Sequence, residues 1–211
     1  MIAARLAADA RRDTLAIPSA AQLASPFACR LLARVLRRER PRRVLEVGAG
    51  YGTLTAILAA VCPQAEIVSI EDDPDCRIAL QRRLAWAPHW LVQSSDDWTN
   101  ALRHVDVLVV DGGDRRPDYY ASLRSHALVI VEGGRREQRA LMERCLLAWQ
   151  RPFCAMPRKP LDRSKGVWLY RLDPTAWERL GYAIVRGLEG ALDAVVGAFG
   201  HPIGKRRAIR I

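Results

Sequence analysis

RVLEVGAGYG, residues 43–52, joins an apolar β-branched run to three alternating glycines, and a helical pattern over 53–61 follows at once. This order predicts a buried strand, a tight turn and the start of a helix. Glycine allows main chain to approach a ligand closely, and a helix start offers free N–H groups and the positive end of its dipole. Open α/β sheets bind nucleotide-like cofactors at such turns. We therefore predict a cofactor site at Gly48, Ala49, Gly50, Tyr51 and Gly52.

The spacing of this loop argues against a dinucleotide. The dinucleotide fingerprint is G-x-G-x-x-G, whereas this chain has G-x-G-x-G with Thr53 at the position of the third glycine. An acidic residue, Glu46, precedes the first glycine by two positions. A lone glycine loop is also compatible with an ordinary turn, so the remaining strands decide the interpretation.

A second acidic landmark ends the next apolar run, EIVSIE, at Glu71. A carboxylate at the end of that strand can take both hydroxyls of a ribose in a bidentate grip. Asp72 adjoins it and is included in the predicted cofactor site. The acidic residues that follow also suit a helix start, and we predict Asp73 as the N-cap of that helix.

Three further strands are predicted, and polar residues follow each of them. Residues 90–93 lead into the loop SSDD, and the run 127–131 ends at Glu132. The run 105–110 is apolar after Asp106 and ends at Asp111 and Gly112. An uninterrupted apolar run is typical of a strand that is buried on both faces. Alternating strands and helices imply parallel strands with right-handed crossovers.

VLEVGAGYGTLTAILA, IVSIEDDP, QSSD, VDVLVVDGG and ALVIVEGG together resemble class I S-adenosylmethionine (SAM) methyltransferases over residues 42–150. Within that family the chain is most similar to the small-molecule O-methyltransferases, on Tyr51, Thr53, Asp111, Gly112 and Tyr119 or Tyr120. The resemblance implies a three-layer, doubly wound α/β sheet of seven strands in the order 3-2-1-4-5-7-6. Strand 7 is expected to be antiparallel, formed with strand 6 from residues 153–156 and 166–172.

The resemblance also assigns roles to the acidic residues. Glu46 and the loop Gly48–Gly52 would lie near the methionine part of SAM, and Glu71 would hold the ribose. Asp96 would accept from the adenine amine, with Asp97 as the near alternative and a helix cap as the structural alternative. Asp111 and Gly112 would face the transferred methyl. Asp111 is the candidate catalytic base or substrate orienter, and a loop cap is its alternative role.

Differences from the motifs of related enzyme groups narrow the range of reactions that we expect. Metal-dependent relatives use an acid after strand four and an Asp-Asn pair after strand five, but this chain has Glu132-Gly133 there. Asp111, Asp114 and Glu132 could supply oxygen ligands, yet no metal site is expected. The chain also lacks the (Asp/Asn)-Pro-Pro-(Tyr/Phe) segment of base-amine methyltransferases and the G-G-G-D-G loop of aminopropyl transferases.

The chain of 211 residues is interpreted as one domain with appended segments. Residues 1–40 form N-terminal helices, one of which starts at Ser25-Pro26, and residues 41–173 form the SAM-binding core. Residues 174–211 form an amphipathic helix with a basic tail. That helix is expected to pack on its own domain, with a homo-oligomer contact or a membrane surface as the alternatives.

Composition limits the remaining choices. The formal net charge is +10, carried mostly by arginine, and the five cysteines form no C-x-x-C pair. Reduced thiols and the absence of a hydrophobic leader pattern predict a cytoplasmic protein. The arginines are dispersed apart from 37–43 and the C-terminal end, so nucleic acid is not the favoured partner. Arg115, Arg116, Arg135 and Arg136 could clamp an anionic acceptor or form a solvated face.

The sequence thus predicts an enzyme, a SAM-dependent methyltransferase that releases S-adenosylhomocysteine. Its favoured acceptor is an oxygen of a small molecule. One alternative is an RNA or protein methyltransferase that uses the basic surface. Another is a non-catalytic SAM-fold module that acts through its C-terminal helix.

Overall fold

The computed structural model describes residues 24–98, 102–113, 115–133, 135–158, 166–181 and 183–184. The chain divides into two compact units, Met1–Asp173 and Pro174–Ile211. Expectations for the N-terminal segment before residue 24, for Asp114 and for the C-terminal end beyond Ile184 lie outside the described residues.

A seven-stranded sheet forms the centre of the first unit. Its order is β3-β2-β1-β4-β5-β7-β6, with β7 antiparallel to β5 and to β6. The predicted fold class, strand order and antiparallel strand are therefore confirmed. The strands are β1 (Arg43–Val47), β2 (Glu66–Ile70), β3 (Trp90–Gln93), β4 (Val105–Val110), β5 (Leu123–Glu132), β6 (Phe153–Arg158) and β7 (Val167–Leu172).

In the described part of this unit, five helices connect or precede the strands. Local signals fix two helix starts as the sequence predicts: Ser25 Oγ accepts from Ala28 N at 3.1 Å, and Asp73 Oδ1 accepts from Asp75 N at 2.8 Å. In both helices proline follows the cap, where its missing N–H costs nothing. The helices are α1 (Pro26–Glu39), α2 (Thr53–Val61), α3 (Pro74–Arg83), α4 (Pro117–Ala121) and α5 (Arg136–Ala148).

The two faces of the sheet differ in character because side chains alternate along each strand. One face carries Leu45 and Val47 into an apolar cluster that also holds residues of α4 and α5. The other face carries Glu46, which lies in register with Ser69 on β2. A wholly buried carboxylate therefore sits in the centre of the sheet on the face that α2 covers.

The loops after β1 and β4 touch backbone to backbone. Gly48 has a φ of 84°, and a Cβ built on it would overlap Gly112. Conversely, a Cβ on Gly112 would come within 2.6 Å of Gly48 Cα. Neither position has room for a side chain, so the two glycines allow the loops to meet.

The second unit is helical over 176–181 and at 183–184. Trp177, Leu180 and Ile184 are exposed and recur at helical spacing, so they form one apolar face. Within the described ranges, no helix combines the length and apolar character needed to cross a bilayer.

We expect Gly112→Ala to lower the free energy of unfolding by about 2 kcal/mol or more, because its Cβ must displace backbone. Gly113→Ala is the matched control, since a Cβ there meets no heavy atom within 4 Å. Neither glycine has a positive φ, so the pair isolates the steric effect. Urea denaturation measures both variants, and equal losses would contradict the close-contact explanation.

Candidate active site

The carboxyl ends of the parallel strands meet at one edge of the sheet. Val47 pairs with Ile70 and with Val110, and Val110 pairs with Val131. The strand order reverses between β1 and β4, which is the position where open α/β sheets bind ligands. The residues that follow the strands here are Gly48, Glu71, Ser94, Asp111 and, at the end of β5, Glu132.

Glu71 is bound to the glycine loop that it was predicted to accompany. Its Oε2 accepts from Gly50 N at 2.6 Å, and its Oε1 accepts from Asp73 N at 3.0 Å. A carboxylate has about four acceptor positions, so two remain for further donors such as ribose hydroxyls. Glu71 therefore links the loop after β1 to the start of α3.

The glycine loop is shaped by three positive φ angles, at Gly48, Gly50 and Gly52. The N–H groups of Gly48 and Ala49 both donate to Ile70 O, at 2.9 and 3.2 Å. Gly50 differs from its neighbours, because a Cβ built on it meets nothing within 4 Å. The loop thus presents bare backbone to open space at Gly50, where a cofactor can approach closely.

The loop after β3 is held from two sides. Asp72 Oδ1 accepts from Ser95 N at 2.7 Å, and Arg116 donates to Ser95 O. Trp98 is buried and meets the Tyr119 ring edge-on, with 5.6 Å between the ring centroids. Asp96 lies at the exposed part of this anchored loop, where its carboxylate is available to a ligand.

Glu46 is fully buried in a hydrogen-bonded group of side chains. Its Oε2 accepts from Ser69 Oγ at 2.6 Å and from Thr55 Oγ1 at 2.7 Å, and Trp90 Nε1 donates to Ser69 Oγ at 3.0 Å. Burial raises the pKa of Glu46 to about 7, although the two hydroxyl donors oppose that increase. The other oxygen, Oε1, is buried without a partner among the described residues.

Asp111 and Glu132 form a carboxyl pair at the ends of β4 and β5. Burial, together with the charge of Glu132, holds the pKa of Asp111 above its ordinary value. Arg135 donates to the carbonyl oxygen of Asp111. A guanidinium nitrogen of Arg135 also lies 3.2 Å from Asp111 Oδ1. Ser25 N donates to Glu132 Oε1 at 3.3 Å. The pair can therefore hold one proton beside a fixed positive charge.

Near this edge, two further arginines are paired within the protein and two tyrosines are buried. Arg116 is engaged with Ser95 and with Asp118 at 3.1 Å, and Arg115 is paired with Glu137. Tyr119 and Tyr120 are each 2% exposed. Both rings belong to the core, so neither forms a wall of an open pocket.

Sequence reasoning did not identify Ser69 and Thr55 as partners of Glu46. Ser69 interrupts the apolar run EIVSI, and a polar residue at a buried strand position is a usable signal for an internal hydrogen bond. Thr55 gives no comparable signal, because threonine is common on helix surfaces. Arg135 was one of four candidate arginines, and nothing local distinguished it from Arg136.

Metal binding finds little support in these residues. Among the residues that the structure describes, no cluster of three or more His, Cys, Asp or Glu side chains could hold an ion. Asp114, one of the three oxygen donors considered from the sequence, lies outside them.

Comparisons with known proteins bear on the whole arrangement. The family model described as "Methyltransferase small domain" matches residues 23–110. An O-methyltransferase from Bacillus cereus, solved with S-adenosylhomocysteine, is 14% identical, with a TM-score of 0.60 over 80% of this chain and 90% of that chain. TomG, an O-methyltransferase from Streptomyces achromogenes solved with SAM, is 22% identical, with a TM-score of 0.56 over 82% and 90%.

A methyltransferase from Geobacter sulfurreducens is 21% identical, with a TM-score of 0.59 over 79% of this chain and 89% of that chain. No curated protein matches the chain. The protein has the class I methyltransferase fold. The fold that the resemblance implies is thereby confirmed. The individual residue roles at this site stay predictions.

Glu46→Gln tests the buried carboxyl in the centre of the sheet. A folded-state pKa raised from 4.5 to about 7 means that its stabilising contribution is complete below about pH 4.5 and is lost as the pH rises through 7. Because its amide does not titrate, the variant should gain about 3 kcal/mol of unfolding free energy relative to wild type as the pH rises from about 4.5 to about 8.5. Denaturation across that range measures the gain.

Glu66→Gln is the control, because it removes an exposed carboxylate from the start of β2. An equal pH-dependent gain in that variant would show that the effect is not specific to the buried Glu46.

Proposed function

We propose that this methyltransferase transfers the methyl group of SAM to an oxygen of a small molecule by in-line displacement. The single observation that carries the proposal is the pairing of an open glycine loop with a protonatable carboxyl pair across the β1–β4 junction. The B. cereus protein and TomG, both O-methyltransferases of similar fold, support oxygen as the acceptor atom.

The residues present fit the cofactor on two observations. Gly50 leaves open space for a ligand, and Glu46 Oε1 is a buried acceptor without a described partner, which suits an amino group of the methionine part. Glu71 keeps free acceptor positions for the ribose, and Asp96 is exposed for the adenine amine. SAM, once bound, supplies an electrophilic methyl group.

Asp111 is placed to act as the base. An acceptor hydroxyl loses its proton as the methyl is transferred, and a general base near neutral pKa suits that task. Burial and Glu132 raise the pKa of Asp111, so it is a stronger base than an ordinary aspartate. Arg135 fixes its carboxylate through Oδ1 and stabilises the charge that remains after the proton moves on.

We also propose a compartment and a mode of assembly. None of the five cysteines forms a disulfide in the structure, which suits a reducing cytoplasm. The exposed apolar face of Trp177, Leu180 and Ile184 is suited to contact with a second copy or a membrane surface. Most of the helix predicted from 175 to 199 lies outside the described residues.

An acceptor other than a small molecule has one observation in its favour. Arginines that lie exposed on α1 start close to the reaction edge, because Ser25 at the start of α1 bonds Glu132. An RNA acceptor is therefore the second candidate. A protein acceptor and a non-catalytic module have no comparable support.

Calorimetry with SAM and with S-adenosylhomocysteine tests the cofactor assignment. We expect micromolar affinity in the wild type and a loss of about 10-fold or more in Glu71→Gln, because the amide cannot accept bidentately from the ribose. Glu66→Gln is the control at an exposed carboxylate of the other sheet edge. Absence of binding in folded wild-type protein would refute the methyltransferase assignment.

Asp111→Asn tests the base. With an acceptor found by screening phenols and other hydroxylated compounds for S-adenosylhomocysteine release, we expect turnover to fall by about 100-fold or more. The wild-type rate should rise with pH until Asp111 is deprotonated, and SAM affinity should change little. A variant that turns over normally would remove Asp111 from the mechanism.

A further inference from the structure

The solvent face of α1 carries a row of basic side chains. Arg30, Arg34, Arg37 and Arg38 are exposed and follow the spacing of one helix face. At 1.5 Å per residue this arginine stripe is about 12 Å long. It is a continuous surface of one charge sign rather than a scatter of single residues.

The stripe has no internal counter-charge. The only acidic residue in α1 is Glu39, and Arg171 engages it at 2.7 Å. Within the described part of the chain, no hydrogen bond or ion pair engages the guanidinium groups of the stripe or of Arg40 and Arg42. Among the described residues, these six guanidinium groups therefore have no acidic partner.

The helix dipole explains only part of the stripe. Cations are favoured in the last turn of a helix and disfavoured near its start. Arg37 and Arg38 lie in the last turn of α1, whereas Arg30 and Arg34 lie in the first two-thirds of the helix. An external anion would offset the charges of all four.

A cavity of about 540 Å³ lies where the stripe ends, between the ends of α1 and α2 and the starts of β1 and β2. Its walls combine apolar side chains with three arginines and one amide, which is a mixture typical of ligand pockets. The backbone of Arg42 is fixed there, because its N–H donates to Asp106 Oδ2 at 2.6 Å. The lining residues are Leu36, Arg37, Arg40, Pro41, Arg42, Val61, Cys62, Pro63, Gln64 and Ala65.

The stripe and the cavity follow one another from the carboxyl edge of the sheet to the opposite edge. The start of α1 lies at the carboxyl edge of the sheet, where Ser25 N bonds Glu132, and its end lies at the opposite edge beside Ala65, which precedes β2. A linear ligand that follows α1 would leave the reaction edge and finish in the cavity.

We propose that the arginine stripe and this cavity bind a single-stranded nucleic acid. The guanidinium groups pair with successive phosphates. The cavity accepts one unstacked base between apolar walls and arginine planes, with the Gln64 amide at its edge. This binding surface is separate from the proposed oxygen methylation and does not depend on it.

An anionic membrane fits the surface less well. Helices that lie on membranes insert large apolar side chains beside their basic residues. Among the described residues, the large exposed apolar side chains lie elsewhere, and none belongs to α1 or lines the cavity. The surface therefore favours a ligand that offers phosphates and separated bases.

Fluorescence anisotropy with a labelled oligouridine of about twelve nucleotides tests the proposal. We expect the triple substitution Arg30→Gln, Arg34→Gln and Arg38→Gln to weaken binding by about 10-fold or more, and to reduce the slope of log affinity against log salt by about 2. Gln64→Glu places a carboxylate at the cavity and should also weaken binding.

The matched control removes three exposed arginines elsewhere, Arg82→Gln, Arg103→Gln and Arg144→Gln, and lowers the net charge equally. Equal weakening in both triple variants, or no binding by the wild type, would overturn the proposal. The proposal would also be overturned if the triple variant of the stripe lost binding to phosphatidylglycerol vesicles but kept wild-type affinity for the oligonucleotide. Calorimetry with SAM on the same proteins shows whether the methyltransferase assignment fails, independently of the nucleic-acid proposal.

Discussion

Contact between two glycines, Gly48 and Gly112, determines the geometry of the candidate active site. The N–H groups of Asp111 and Gly112 donate to Val47 O, at 2.9 and 2.8 Å, so the chain leaving β4 is bonded to the end of β1. Because neither glycine has a side chain, the cofactor loop and the predicted base meet at the point where the strand order reverses. A Cβ on either glycine would move the predicted cofactor loop away from Asp111, the predicted base.

Three carboxylates near that junction have different surroundings, and this separates their roles. Glu71 is only partly buried and receives two backbone N–H groups. Glu46 has no contact with solvent and relies on two hydroxyls, so burial raises its pKa. The pKa of Asp111 is raised by burial and by the charge of Glu132, and Asp111 lies beside Arg135. Glu71 keeps acceptor positions that suit a ligand hydroxyl, whereas the raised pKa of Asp111 suits proton exchange.

The sequence predicted well those features that depend on residues close to one another along the chain. Asp73 caps α3 because its side chain reaches N–H groups two and three residues on, and apolar runs reveal the strands of a parallel sheet directly. Contacts between distant segments were not predictable in this way. Arg135 lies 24 residues from Asp111, and only the β4–β5 crossover brings them together. Tyr119 and Tyr120 are adjacent, yet both are buried, because the short α4 lies within the core cluster of the sheet face it covers.

The fold itself accounts for some of the charged residues at the two edges of the sheet. In a parallel sheet with right-handed crossovers, helix N-termini gather at the carboxyl edge and C-termini at the other. Helix dipoles therefore favour acidic groups at the first edge and basic groups at the second. Glu71 and Asp111 follow this rule, as do Arg37 and Arg38 at the end of α1. Arg30 and Arg34 lie away from the C-terminal turn, so the helix dipole does not account for their charge, whereas the phosphates of the proposed nucleic-acid ligand would offset it.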